Sequence, residues 1–123
     1  LMNRDAEFVA HALELLADFG EVREKRMFGG YGIFREGLMF ALVADAQLFW
    51  KVDDQNEAEF ASRELPRFIY QRGKEEASMS YRLCPDEAFQ NPESMTKWAQ
   101  FGWQAAVRAD EAKPPSKRKR QPA

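Results

Sequence analysis

The residues with the clearest chemical promise are three glycines within four positions, Gly29, Gly30 and Gly32, in the stretch RMFGGYGIF from Arg26 to Phe34. Glycine-dense loops cradle phosphates when their backbone N–H groups open a helix. A dinucleotide fingerprint needs G-x-G-x-x-G between a strand and a helix. Counted from Gly30, the third glycine falls on Arg35. A phosphate loop needs Gly-Lys followed by Ser or Thr, and Gly73-Lys74 is followed by Glu75. The segment after Gly32 also reads as strand, not helix. The glycines are therefore expected to be architectural, marking a bulge, a sharp bend or a close backbone approach inside a strand. A bend would re-aim Phe28 and Tyr31, one into the core and the other onto a helix or a partner.

The remaining chemical inventory is short. Cys84 is the single cysteine, which excludes an internal disulfide and fits a reducing, cytoplasmic compartment. It ends a strand-like run and reads as a small buried hydrophobe. His11, the single histidine, lies near the edge of a helical apolar stripe and reads as solvated or flank-packed. One His and one Cys cannot form a structural zinc site of four N/S ligands, and no carboxylate ligand loop is visible. The carboxylate pairs Asp53/Asp54 and Glu75/Glu76 fall in a helix cap and a turn, where solvation explains them. The expectation is no catalytic residue, no cofactor and no metal.

The elements that hold these residues follow from periodicity. Residues 3–19 place Phe8, Ala12, Leu15, Leu16 and Phe19 on one helical stripe, with Asn3 or Asp5 to cap it and Gly20 to end it. From Val22 to Val52 the period is that of strands. One run, about Lys25 to Phe34, is interrupted by the glycines. Glu36-Gly37 and Asp45-Ala46 are tight reversals leading to Leu38–Ala44 and Gln47–Val52. Connections this short require antiparallel neighbours. Asp53 or Asp54 caps a short helix near 55–64, stopped by Pro66. Strands follow at Arg67–Gln71 and Ala77–Cys84, the latter alternating apolar Met79, Tyr81 and Leu83 with polar Ser80 and Arg82. Asn91-Pro92-Glu93 opens a final helix to about Ala109, its stripe formed by Met95, Trp98, Ala99, Gly102, Ala105 and Ala106. The fold class is α+β, with two layers: an antiparallel five-stranded sheet carrying helices on one face, in the order α-β-β-β-α-β-β-α.

At 123 residues with 45% hydrophobic and 31% charged side chains, the chain fits one domain with a single core. No apolar run approaches the length of a membrane span, and no basic start followed by an apolar stretch and a small-residue cleavage site is present, so a signal peptide is not expected; Met2 reads as the native start. The net charge of −2 hides an asymmetry. Lys113, Lys117, Arg118, Lys119 and Arg120 follow Ala112 without an acid among them, which leaves the body at −7. An acidic body is a poor match for nucleic acid, and only the tail offers weak contacts. The expected organisation is a domain over residues 2–111 and a disordered basic tail over 112–123.

The run RMFGGYGIFREGLMFALVADAQLFWKVDD resembles the N-terminal domain of the TfoX/Sxy family, bacterial regulators of competence genes. Met27, Phe28, Gly29, Gly30, Gly32, Gly37, Met39, Phe40, Ala41, Leu42, Lys51 and Asp53 match the family pattern in place. MSYRLCPDEAFQNPESMTKWAQFGWQAA is similar to the family's Met-x-Tyr strand, proline turn and Trp-containing helix, so that the likeness covers about residues 5–108. It implies the two-layer fold already derived and a regulatory role without enzyme activity. Full-length members join this domain to a C-terminal helical domain and act with the cyclic-AMP receptor protein at competence promoters. This sequence reads as the N-terminal domain standing alone.

The resulting expectation is a non-enzymatic regulatory domain working by protein–protein contact in transcription. Met27, Phe28, Gly29, Gly30, Tyr31, Gly32, Phe49 and Trp50 form the motif and the candidate interaction surface, and strand-edge pairing offers a homodimer. The alternatives are weak nucleic-acid binding through Lys117, Arg118, Lys119 and Arg120, and a small-ligand sensor with a pocket between sheet and helices.

Overall fold

Glycine decides the strand count. Gly29 takes φ +74°, a conformation that costs an L side chain about 1–2 kcal/mol, and the chain reverses so that Met27 pairs with Gly30. The run expected as one bent strand is therefore two, β1 (Arg23–Met27) and β2 (Gly30–Arg35). The sheet has six strands, not five. The computed structural model describes residues 4–27, 29–72 and 74–120, so the expected roles of Asn3 and Phe28 lie outside the described residues.

The remaining elements come in the expected order, although the first helix ends at Leu15 rather than near residue 19, with turns over 16–19 before Gly20. After α1 (Arg4–Leu15) and the first hairpin come β3 (Leu38–Ala44), β4 (Gln47–Lys51), α2 (Glu57–Ala61), β5 (Arg67–Arg72) and β6 (Glu75–Leu83). A 3-10 turn at Asp86–Gln90 leads into α3 (Pro92–Glu111). Every neighbouring pair in the sheet is antiparallel, and the order is β1-β2-β3-β4-β6-β5. The expected reversals are present: Glu36 and Gly37 have φ of +50° and +79°, and Asp45 and Ala46 have +53° and +55°. The second reversal contains no glycine and is held from outside. The Asp5 carboxylate accepts the Ala46 N–H at 2.6 Å, and Arg4 pairs with Asp45. Asp5 thus ties α1 to the β3–β4 turn.

One face of the sheet carries the helices. Phe40 is its hub, with the rings of Phe19, Trp50 and Trp103 within 5.5–6.2 Å. Helix α3 lies almost directly on the strands. A Cβ on Gly102 would come within 2.6 Å of the Phe40 carbonyl oxygen. Its expected stripe, Met95, Trp98, Ala99, Gly102, Ala105 and Ala106, is buried throughout. At its start the Asn91 side chain accepts the Ser94 N–H at 2.8 Å, as the sequence anticipates.

A slip in register sorts the side chains between faces. Ile33 pairs with Ala41 but Phe34 pairs with Met39, which leaves Phe40 as an extra residue. Phe40 and Ala41 therefore both join the helix-side core, while Met39 and Leu42 join the opposite face. That opposite face has its own cluster of Leu42, Phe49, Phe68 and Tyr81, edged by Met39, Tyr70, Met79 and Leu83. All of these are strand residues.

Candidate functional site

The motif glycines do three different things. Gly29 is exposed and makes the reversal. At Gly30 a Cβ would stand 2.1 Å from the Val43 carbonyl oxygen, so only glycine lets β2 approach β3 this closely. Over Gly32 lie Met27, Phe34 and Met39, whose side chains fill the space a Cβ would need, with Met27 Sδ only 2.6 Å from it. Tyr31 is half-buried against the helix-side core, with the Arg26 guanidinium 6.0 Å from its ring. This is local architecture.

Two residues of the expected contact surface are not on the surface. Trp50 is 0% exposed and Phe49 is 5% exposed. As neighbours on one strand they point to opposite faces, Trp50 into the helix-side core and Phe49 into the second cluster. A hydrophobic run flanked by helices and a second cluster is buried on both sides, which alternation alone does not reveal.

The polar site lies where the motif ends. Asp53 and Asn56 close a reciprocal turn: Asn56 Oδ1 accepts the Asp53 N–H at 2.8 Å, and Asp53 Oδ1 accepts the N–H groups of Gln55 and Asn56 at 3.0 and 3.2 Å. Asn56, 4% exposed, also donates from Nδ2 to the carbonyls of Lys51 at 3.2 Å and Phe101 at 2.9 Å. One side chain thereby fastens the end of β4, the approach to α2 and the middle of α3. Asp53 is then held by Arg108 in two bonds, Nε to Oδ2 at 2.7 Å and Nη2 to Oδ1 at 2.9 Å. The Arg108 bond holds the Asp53 carboxyl below its ordinary range. The expected helix cap at Asp53 or Asp54 is not what forms: α2 starts later, at Glu57, with Asn56 in the cap position, and the Asp53 carboxylate instead closes the preceding turn and pairs with Arg108. Beside this knot is a notch of about 420 Å³ lined by Lys51, Asp53, Asp54, Ser80 and Arg108, among others. Burial lowers the pKa of Lys51, and its ammonium lies 5.3 Å from the Tyr81 ring.

The described part of the basic tail, through Arg120, makes defined contacts with α3 and with the β2–β3 turn. Asp110, 2% exposed, accepts the N–H groups of Lys119 and Arg120 at 2.9 and 3.0 Å. Those bonds hold its carboxyl below the usual range. Arg118 donates to the carbonyls of Lys113 and Glu111, both at 3.0 Å, and Arg120 lies 3.3 Å from Glu36. Lys117 ends a 3-10 turn and bonds through its N–H to the Pro114 carbonyl. Two prolines and a charge run predict a chain that cannot continue the helix, which holds. They cannot reveal an acceptor one turn back in α3.

Among the described residues no hydrogen bond joins the nucleophile and base candidates. Cys84 is buried and burial pushes its thiol up to about 12. His11 is exposed on α1, its ring 6.1 Å from that of Phe89. Among the described residues no three His, Cys, Asp or Glu side chains converge as metal ligands, and no helix is long and apolar enough to cross a membrane. Sequence reasoning missed Arg108, Asn56 and Asp110. The Asp53-x-x-Asn56 spacing was the one local signal; Arg108 stands 55 positions from its partner.

Comparison with known proteins agrees with the order of these features. The family model of the TfoX N-terminal domain matches residues 14–106. The chain is also similar to the DNA transformation protein TfoX1 of Aliivibrio fischeri (strain ATCC 700601 / ES114), at 32% identity over 62 residues. That stretch covers 50% of this chain and 30% of the relative. Since the family model runs from the end of α1 through all six strands and into α3, the chain belongs to the TfoX N-terminal domain family.

Proposed function

We propose that this protein is a non-enzymatic, cytoplasmic regulatory domain that acts by protein–protein contact in transcriptional control linked to competence. Membership of the TfoX N-terminal domain family carries the reading, together with a relative named as a DNA transformation protein. The chemistry-bearing groups support it. Cys84 is buried with a raised pKa, Asp53 is taken by Arg108, and His11 lies on a helix surface with its ring beside that of Phe89.

The contact surface is the β5 edge. Strand β5 ends the sheet order, so one row of its backbone groups lacks a strand neighbour. Among the described residues Ile69, at 53% exposure, is the large apolar side chain left open, and it sits on that edge. An added strand from a partner would pair with the backbone and cover Ile69. Two such edges would give a homodimer.

Affinity purification of the tagged protein tests this, with Ile69→Lys as the comparison. The expected result is capture of a transcription component by the wild type, loss with the variant, and altered competence transcripts in a deletion strain. Capture of no transcription component, with unchanged transcripts, overturns it. Light scattering that gives twice the 14.2 kDa chain mass, abolished by Ile69→Lys, assigns the edge to self-association instead.

A further inference from the structure

Anchoring the tail brings lysines from three distant parts of the chain, β1, β4 and the C-terminal segment, to two adjoining depressions. With its backbone held by Asp110, Lys119 borders two adjoining depressions that share Phe34 and Gly37. The larger, about 730 Å³, is also bordered by Lys25 of β1. The smaller, about 130 Å³, is bordered by Lys51 of β4 and by Lys113. Phe34, half-buried, lies between the lysines.

Three of the four acids lining the depressions are engaged, and among the described residues the four lysines form no salt bridge. Glu36 lies 3.9 Å from Arg35 and 3.3 Å from Arg120, and Glu21 lies 3.4 Å from Arg23. Asp110 is occupied by two backbone N–H groups. Of the acids lining the depressions, Glu24 is left without a pair. Among the described residues no carboxylate lies within 4.0 Å of the ammonium groups of Lys25, Lys51, Lys113 or Lys119. The larger depression balances Arg23, Lys25 and Lys119 against Glu21, Glu24 and Glu36, whereas the smaller sets Lys51, Lys113 and Lys119 against Asp110 alone, a local field of sign opposite to the acidic body that is not screened away within about 8–10 Å. For Lys51, burial lowers its pKa, Asp53 opposes that, and Lys113 adds to it. An anion seated beside Lys51 and Lys113 would relieve both costs.

We propose that Lys25, Lys51, Lys113, Lys119 and Phe34 form a binding site for a nucleotide, taken either free or as a unit of a single strand. The phosphate is recognised by the lysines, and the base stacks on the Phe34 ring. Several converging ammonium groups favour a multiply charged phosphate over a lone carboxylate, and the ring gives a flat apolar floor the size of one base. This site is independent of the β5 edge and of the partner proposed there.

The test uses the full chain with three probes at low salt: adenosine monophosphate, a fluorescent dT12 strand and inorganic pyrophosphate. Calorimetry follows the small probes and anisotropy the strand. The expected result is saturable binding of a nucleotide probe, weakened tenfold or more by the double substitution Lys113→Gln, Lys119→Gln and left unchanged by Lys97→Gln on the far part of α3. Tighter binding of dT12 than of the mononucleotide assigns the strand, with a log–log salt slope of about −3 for four phosphate contacts. The reverse order assigns the free nucleotide. Asp110→Asn, which loosens the anchor of Lys119, is expected to weaken binding as Lys119→Gln does. Absence of saturation with every probe overturns the site. So does equal weakening by Lys97→Gln, which would mean diffuse charge attraction only. Binding of pyrophosphate as tight as that of the nucleotide, with Phe34→Leu moving neither, overturns the nucleotide assignment. Thermal melts on each variant separate loss of binding from loss of fold.

Discussion

Replacing Asn56 with alanine tests the knot at the end of β4 most directly. The side chain makes three bonds: it accepts from the Asp53 N–H and donates to the carbonyls of Lys51 and Phe101. It is 4% exposed, so water cannot easily replace them. At about 1 kcal/mol net per bond the loss is about 3 kcal/mol, within a range of about 2–4 once the stranded carbonyls are counted. With a urea m-value of about 1.5 kcal/mol/M, the unfolding midpoint should fall by about 2 M. With an unfolding entropy of about 0.26 kcal/mol/K for a chain of this length, Tm should fall by about 12 °C. Urea denaturation followed by tryptophan fluorescence measures this, since Trp50 and Trp98 are buried in the same core. Gln55→Ala, one residue away and exposed, serves as the control. Asn56→Asp keeps the acceptor but cannot donate, and should cost at least as much as the alanine. A midpoint shift below about 0.3 M at unchanged m, or a shift no larger than that of Gln55→Ala, would show that Asn56 does not fasten α3 to the sheet.

Three further outcomes follow from the same packing. Gly30→Ala should cost about 3 kcal/mol, because its Cβ meets the backbone of Val43, whereas Gly29→Ala meets nothing and costs only the strain of its φ, about 1–2 kcal/mol; thermal melts giving the opposite order would refute the division of roles. Arg108→Met should cost about 1–2 kcal/mol at pH 7 and flatten the acid limb of the stability curve. The folded carboxyl of Asp53 titrates below 3.8, so its contribution is complete above that pH and is lost as the pH falls through the depressed value; an acid limb between pH 5 and 2.5 that is identical in both proteins would contradict the pairing. Cys84, with its thiol raised to about 12, should react with iodoacetamide at pH 8 about 1,000-fold more slowly than in urea; mass spectrometry showing comparable rates would place the thiol at the surface.

The sequence by itself determined whatever depends on neighbours in the chain. The Asn91-Pro92 start of α3, its buried stripe, the two tight reversals and the apolar face of β6 are all read over a few residues, because caps, turn conformations and side-chain periods are local. The burial of Cys84 was legible for the same reason. The first hairpin was within reach and was misread. Gly29 was the signal, yet a glycine in a strand permits a bend and a full reversal alike, and only pairing with β3 selects the reversal. Tertiary structure alone decided the rest. Phe49 and Trp50 look like an available aromatic pair until both faces of β4 are covered. Arg108 reaches Asp53, Asn56 reaches Phe101, and Lys119 joins Lys25 and Lys51, only after α3 lies across the sheet. Side chains far apart in sequence converge through the packing of whole elements, which no local pattern encodes.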